Sequence, residues 1–222
     1  YGGGLYVQSC NLVMNNVDIL NNYSGNQAGG LIVLYGTVDL DDVLFQGNEA
    51  EGSYGGFRLE GLTTLTMDNV DILENGIETT NNIGGGILSA IADGTLNNIN
   101  VIGNQAPAGD TGGLYISGST LNFYNIVIQD NYALNNMTGM NIDGSGSYVT
   151  FDRLLFTGNN YLYNNTIDGR CALAIGNSAT VTIKNSTLAD NDLSYTGYSQ
   201  YGIKVSNSAT LTLENSIVRD NA

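Results

Sequence analysis

The stretch VDILNNYSGNQAGGLIV, residues 17–33, decides the fold because its pattern recurs along the whole chain. Apolar residues alternate with other residues up to two asparagines. A short polar loop and two glycines follow, and then a second alternation begins. The asparagines that close successive alternations lie 26, 27, 29, 27, 28, 32 and 30 residues apart, a spacing typical of repeat proteins. These ladder asparagines are Asn22, Asn48, Asn75, Asn104, Asn131, Asn159, Asn191 and Asn221.

Each repeat contains three apolar alternations of period two, which predict three short strands. In the second repeat the inward pairs are Leu31/Val33, Val38/Leu40 and Val43/Phe45. One repeat cannot bury its own apolar face, so neighbouring repeats must stack. We predict an all-β fold, a right-handed, single-stranded parallel β-helix (β-solenoid) of about eight coils, forming one domain over residues 1–222. The chain starts and stops in mid-repeat, so we expect a segment of a longer chain.

A second polar column precedes the third strand of each repeat, and we name it the corner column. Asparagine tolerates left-handed backbone and can bond to identical residues above and below it. Glycine pairs such as Gly29–Gly30 are predicted to supply positive φ where the loop rejoins the sheet. The fourth repeat fits poorly, with Ile87 as its inward residue. The corner column comprises Asn16, Asp42, Asn69, Asn98, Asn125, Arg153, Asn185 and Asn215.

Composition excludes several classes of function. The chain has 31 asparagines, no histidine and a net charge of −15, which repels nucleic acid and anionic lipid. No apolar run approaches the roughly 18 residues of a membrane span, so we expect no membrane insertion of this segment. Cys10 and Cys171 lie six coils apart, about 29 Å, and a disulfide needs Cα atoms within about 7 Å. The two cysteines are therefore predicted not to pair.

Two recurring motifs carry a family resemblance. GGLY, GGLI, GGFR and GGIL begin at residues 3, 29, 55 and 85, while FQGN and FTGN occupy residues 45–48 and 156–159. These motifs resemble the GGA[ILV] and FxxN repeats of chlamydial polymorphic membrane proteins and of adhesin-like β-helix proteins, although leucine or another residue replaces the alanine. The resemblance implies a secreted or surface-displayed protein that serves adhesion or extracellular architecture, and it brings no catalytic residues.

Carboxylates offer the main alternative chemistry, because without histidine the usual Ser–His and Cys–His arrangements are impossible. Asp41 and Asp68 fall in one column of neighbouring coils, with Asp71 nearby. Paired carboxylates suit a carbohydrate-active enzyme, either a glycoside hydrolase or a lyase-like protein. Asp39, Asp41 and Asp68 could instead hold calcium. A solvated acidic edge is the simpler interpretation, so we expect no catalytic residue and no cofactor, with calcium as the alternative.

The loops after the ladder asparagines are rich in tyrosine, which offers rigid, amphipathic contact area. We predict that they form a ligand or partner edge for protein subunits, cell-surface proteins or glycans. The alternative is that the loops pack against one another. The edge comprises Tyr132, Tyr161, Tyr163, Tyr195 and Tyr198.

Several outward positions are also apolar and could support end-to-end or lateral self-association. They are Tyr6, Ile32, Leu88 and Tyr115 on the first strands, and Leu44, Val127, Leu155 and Ile217 on the third strands.

Four N-glycosylation sequons occur, about as many as chance predicts in so asparagine-rich a chain. Asn136 and Asn164 are the glycosylation candidates because they lie in loops. Taken together, these observations favour an extracellular or cell-surface, non-enzymatic scaffold, either an adhesin stalk or a structural component of a surface filament.

Overall fold

Each predicted repeat forms one coil of a parallel β-solenoid in the computed structural model. The eight ladder asparagines bound about seven complete turns, and neighbouring coils pair in parallel, with register shifts at Gly36/Thr37 and Met137/Met140. The all-β prediction is therefore confirmed. None of the described residues forms a helix long and apolar enough to cross a membrane. The structure describes residues 2–77, 83–107, 109–134, 137–161, 170–191 and 200–221.

Three lateral faces run along the solenoid, one for each predicted strand; they are named face 1, face 2 and face 3 in chain order. Strands are numbered in chain order. In the first three coils one strand bends across all three faces: β1 (Leu5–Leu20), β3 (Leu31–Gln46) and β5 (Phe57–Leu73). Later strands of face 1 are β7 (Gly86–Ser89), β10 (Leu114–Ser117), β13 (Met137–Asp143), β16 (Arg170–Ile175) and β19 (Gln200–Val205).

Faces 2 and 3 share single strands in the middle coils and have separate strands in the last two. The shared strands are β8 (Gly94–Ile102), β11 (Thr120–Gln129) and β14 (Tyr148–Thr157). The separate strands are β17 (Thr180–Lys184) and β20 (Thr210–Glu214) on face 2, and β18 (Thr187–Ala189) and β21 (Ile217–Arg219) on face 3.

The core is a stack of inward side chains that repeats from coil to coil. Leu31, Val33, Leu40 and Phe45 of the second coil are completely buried, as their period-two pattern predicts. Burying one such side chain stabilises the fold by about 1.5–3 kcal/mol. The first and last coils have a neighbour on one side only, so Leu213 of the last coil is 45% exposed.

The ladder asparagines join the coils by side-chain hydrogen bonds. Asn75 Nδ2 donates to the Phe45 carbonyl and to Asn104 Oδ1, both at 3.0 Å. Its Oδ1 accepts from the main-chain N–H and the Nδ2 of Asn48, again both at 3.0 Å. The six inner ladder asparagines are at most 1% exposed, so each buried amide is satisfied within the stack.

The bends at the corner column and at the ladder both use left-handed backbone, but at different places relative to the asparagines. All eight corner-column residues have positive φ, between 47° and 63°, which confirms the prediction for that column. At the ladder, the residue before each asparagine has positive φ instead, for example Glu74 with φ 54°. The ladder asparagines are therefore selected for their amide groups rather than for their backbone conformation.

The glycine pairs are needed for close stacking, and the prediction that they supply positive φ is wrong. Gly29 and Gly30 do not adopt left-handed φ. A Cβ on Gly29 would lie 2.4 Å from the carbonyl oxygen of Glu49, and one on Gly30 would lie 2.5 Å from that of Gly56. Main chains of adjacent coils pass too close at this bend for any side chain.

The fourth coil departs from the predicted register on face 1. Gly86 pairs with Phe57 and Leu88 pairs with Leu59, so Leu88 points inward and is fully buried. The predictions that Ile87 is inward and that Leu88 is an outward contact position are therefore wrong. A Cβ on Gly86 would lie 2.6 Å from the Phe57 ring, so this ring occupies the inward space that Gly86 leaves.

A fourth strip of paired backbone follows the ladder, where the sequence predicted loops alone. Six two-residue strands pair in parallel from coil to coil, and their second residues include a small buried cluster of Ala50, Ile77, Ala106 and Ala133. The strands are β2 (Tyr23–Ser24), β4 (Glu49–Ala50), β6 (Gly76–Ile77), β9 (Gln105–Ala106), β12 (Tyr132–Ala133) and β15 (Asn160–Tyr161).

Candidate functional site

The first residues of these six short strands form one column beside the ladder, which we name the edge column. Each follows a ladder asparagine directly, so the hydrogen-bonded stack fixes its position. Tyr132 of the predicted partner edge belongs to this column and is half-buried. The column reads Tyr23, Glu49, Gly76, Gln105, Tyr132 and Asn160.

A cleft of about 280 Å³ interrupts the edge column at Gly76, which has no side chain to fill its place. Glu49 and Gln105, the neighbours in register, flank it on either side, and Ile77 and Pro107 are the other described residues that line it. Among the described residues, a Cβ on Gly76 would meet the Gln105 carbonyl oxygen alone, at 3.9 Å, which is ordinary contact distance. Sequence reasoning missed this cleft, although Asn75–Gly76 is the one ladder asparagine followed by glycine.

The remaining residues of the predicted tyrosine edge fall mostly outside the described part of the chain. The backbone of Tyr161 pairs with Ala133, which places it one position past the edge column. Tyr163, Tyr195 and Tyr198 lie outside the described residues, as do the glycosylation candidates Asn136 and Asn164. For these residues the sequence-based assignments stay predictions.

The acidic column of face 2 is assembled as predicted, but its carboxylates already have partners. Asp41 and Asp68 are in register on neighbouring coils. Asn15 Nδ2 donates to Asp41 at 2.9 Å, and Asn98 Nδ2 donates to Asp68 at 3.0 Å. Both carboxylates therefore accept hydrogen bonds from the adjacent coils, as members of the scaffold.

Asp39 and Asp71 sit apart from this pair. Asp71 lies beyond the corner on face 3 and accepts a bond from Asn100 Nδ2 at 2.7 Å. Asp39 pairs in register with Thr66 and not with another acid. Within the described ranges, no group of three or more Asp, Glu, His or Cys residues is placed to hold a metal. The calcium alternative stays a prediction without geometric support.

Neither cysteine forms a disulfide, and they differ in their surroundings. Cys10 is exposed, whereas Cys171 is buried. Burial raises the pKa of the Cys171 thiol to about 12, and the positive charge of Lys204 only partly opposes this effect. The Cys171 thiol is therefore protonated at neutral pH and unsuited to act as a nucleophile.

Part of face 1 is covered by the loops that precede the glycine bend. Ile32 and Ile87 point outward yet are 0% and 7% exposed. Arg58 lies between them in register, donates to Gln27 at 3.2 Å and packs 5.8 Å from the Tyr54 ring centre. Ile32 is therefore buried within the molecule, and its predicted role as a free contact position is wrong.

The outward apolar positions of face 3 are more open. Val127 and Leu155 lie side by side on neighbouring coils, and Leu155 is 39% exposed. Ile217 is 55% exposed and Leu44 is half-buried. These side chains are available for contacts, and self-association through them stays a prediction.

Comparison with known proteins supports the fold and leaves the activity open. A family model described as a right handed beta helix region matches residues 153–222. No curated protein and no solved structure matches the chain. These comparisons do not show the narrower likeness to the chlamydial proteins. The matched region continues the same coils and the same ladder as the rest of the structure. The fold of the chain is therefore that of a right-handed parallel β-helix.

Proposed function

We propose that this chain is a non-enzymatic extracellular scaffold, an adhesin stalk or a structural component of a surface filament. The main observation behind the proposal is that polar side chains of one coil form hydrogen bonds with those of the next. Ladder amides, and the carboxylates of Asp41, Asp68 and Asp71, are hydrogen-bonded between neighbouring coils. Such bonds hold a rod together, and rods that display side chains at a constant spacing suit adhesion and assembly.

The proposed contact region is the edge column with its adjoining tyrosines. Tyr132 presents an amphipathic ring from a strand that the ladder fixes in place. A rigid aromatic contact loses little conformational entropy on binding, which favours recognition of proteins or glycans. The acidic composition and the resemblance to adhesin repeats support an extracellular or cell-surface location.

The alternative is a carbohydrate-active enzyme that uses Asp41, Asp68 or Asp71. The register of Asp41 with Asp68 is the observation in its favour, since retaining enzymes place two carboxyl groups about 5–5.5 Å apart. A general acid usually needs an apolar pocket that keeps it protonated, however. Asp41 and Asp68 are on an outer sheet face, and each accepts an asparagine amide. We therefore favour the scaffold.

Two measurements test the proposal. Native protein incubated with a panel of polysaccharides should release no reducing sugar, and Asp41→Asn should give the same result; release that Asp41→Asn abolishes would establish the enzyme instead. Binding to cultured cells and extracellular-matrix proteins should fall at least fivefold in Tyr132→Ser. The matched control is Tyr124→Ser, which changes a half-buried tyrosine on face 2. Equal binding by the two variants would refute the contact region.

A further inference from the structure

The cleft at Gly76 lies between two polar side chains that have no side-chain partner among the described residues. Neither the Glu49 carboxylate nor the Gln105 amide makes a side-chain hydrogen bond or ion pair within the described part of the chain. They face each other across one coil, since both are in register with Gly76. An unpaired carboxylate and an amide oxygen on opposite walls favour a ligand with several N–H donors.

The rest of the cleft supplies an apolar surface. Pro107 and Ile77 lie beside the gap, and Ile77 is only 3% exposed, so it contributes a closed floor rather than a protruding side chain. A cleft of about 280 Å³ lies just below the range of about 300–1,000 Å³ for sites that hold drug-sized molecules. It is therefore suited to one long side chain or one small molecule.

Charge decides which donor group fits best. Among the described residues that line the cleft, Glu49 is acidic and none is basic. Glu51 and Glu74 lie nearby along the chain, and the whole chain carries a net charge of −15. This field attracts cations and repels anions. A primary ammonium group on an aliphatic stem satisfies all three features: its N–H donors reach the polar walls, its stem lies on the apolar surface, and its charge matches the field.

We propose that the Gly76 cleft is a binding site for a lysine side chain of a protein partner. The proposal rests on the function proposed above and specifies how one point of the edge column recognises its partner. The Lys Nζ donates to the Glu49 carboxylate and to the Gln105 amide oxygen, and the lysine methylenes lie against Pro107. Gly76 is the specificity-determining residue, because any larger residue there would occupy the cleft.

The structure offers variants that change the cleft without straining the fold. Gly76 does not adopt a left-handed φ and has open space around its Cα, so Gly76→Gln should fill the cleft at little cost. Gly25→Gln is the matched control, since Gly25 has similar space and lies in the first coil. Glu49→Gln removes the negative charge from the cleft. Its control is Glu51→Gln, because Glu51 accepts a hydrogen bond from the Tyr23 hydroxyl instead of lining the cleft.

The test is an NMR titration of the 222-residue chain that follows the Gly76 and Ile77 amide signals. The probe is the peptide acetyl-Gly-Lys-Gly-amide, with its Nε-acetyllysine form as the uncharged counterpart. We expect saturable shifts with the first peptide alone, weakening as salt is raised. Glu49→Gln should lower the affinity at least fivefold and Gly76→Gln should abolish binding, while both controls stay within twofold. Thermal unfolding of each variant confirms that it is folded.

Three results would overturn the proposal. Equal shifts with the acetylated peptide would show that charge is irrelevant. Equal losses in Glu49→Gln and Glu51→Gln would show diffuse attraction rather than a site. Binding of glucosamine with no binding of the lysine peptide would assign the cleft to amino sugars. None of these results affects the scaffold proposal, which the polysaccharide and cell-binding measurements decide separately.

Discussion

Two columns of mostly asparagine run the length of this solenoid, and they do different work. The ladder is buried, and its amides are bonded above and below, as at Asn104. The corner column is exposed, and its few side-chain bonds, such as Asn125 Nδ2 to Asn98 Oδ1 at 3.0 Å, lie at the surface. All eight residues of the corner column have positive φ. The ladder therefore requires an amide, whereas the corner requires a residue that tolerates left-handed backbone.

Substitutions within the repeats follow this difference. Every ladder position is asparagine, but the corner column accepts Asp42 and Arg153. Aspartate shares the tolerance of asparagine for left-handed φ, and at an exposed corner its charge is solvated. An aspartate in the ladder has no N–H groups, so it could not make the buried hydrogen bonds that the asparagine amide donates. Mutations that exchange the requirements of the two columns test this interpretation.

The largest effect is expected for Asn75→Asp. The new carboxylate would face the Phe45 carbonyl and Asn104 Oδ1, to which Asn75 Nδ2 now donates. An unpaired buried charge destabilises a protein by about 3–5 kcal/mol. Urea denaturation at pH 7 measures the loss, which should shrink at pH 4 because protonation removes the charge. A loss that is the same at both pH values would contradict the explanation.

Asn104→Gly should rank second. It removes the acceptor for the Asn75 main-chain N–H and Nδ2, and it removes the donor to the Ile72 carbonyl. Unsatisfied buried groups cost about 1–3 kcal/mol each, so we expect a total loss of about 3 kcal/mol after water enters the gap. Chemical denaturation gives the free energy of unfolding. A loss below 1 kcal/mol would show that the ladder is dispensable at that coil.

The same change in the corner column should have almost no effect. Asn98 has φ 53° and is exposed, and water can replace its surface bonds to Asp68, Asn69 and Asn125. Asn98→Gly should therefore alter the free energy of unfolding by less than about 0.5 kcal/mol. Asn98→Val is the informative partner, because a β-branched residue at this φ should cost about 1–2 kcal/mol. Equal stability of the two variants would mean that backbone conformation does not select this column.

Arg153→Asn should have the smallest effect and the opposite sign. Arg153 holds φ 63° without the local hydrogen bonding that makes asparagine tolerant, and its side chain is 55% exposed. We expect the free energy of unfolding to rise by about 0.5 kcal/mol from the relief of backbone strain. The loss of the surface bonds from Arg153 to Asn125 and Asp152 should reduce this gain slightly. Thermal unfolding should show a slightly higher midpoint. A clear destabilisation would mean that these surface bonds outweigh the backbone term.

The sequence correctly predicted burial and backbone conformation where these follow from the residue pattern of one coil and its repetition in the next. The period-two alternation correctly predicted that Leu31 and Val33 are buried, and the asparagines of the corner column correctly predicted left-handed φ. Features that depend on distances between main chains were missed. Gly29 looked like a flexible turn residue, yet it is required because the main chain of Glu49 passes within contact distance.

The error in the fourth coil comes from an insertion that shifts a residue by one position. A third glycine at residue 86 moves Leu88 inward, and alternation alone cannot show which glycine of three takes the inward place. The cleft was missed because a glycine in a loop carries no pattern of its own. Only the parallel strip that pairs Glu49 with Gly76, and Gly76 with Gln105, shows that a side chain is absent from a column.

Pairing in register between adjacent coils also determines how the rod responds to force. Its bonds join each coil to the next, so tension applied to the two chain ends would peel the coils off one at a time. A coil of about 30 residues adds only about 4.8 Å to the folded rod but on the order of 100 Å when its chain is pulled straight. A tethered rod of this kind would lengthen in steps and absorb mechanical work, and each step would leave the remaining coils folded.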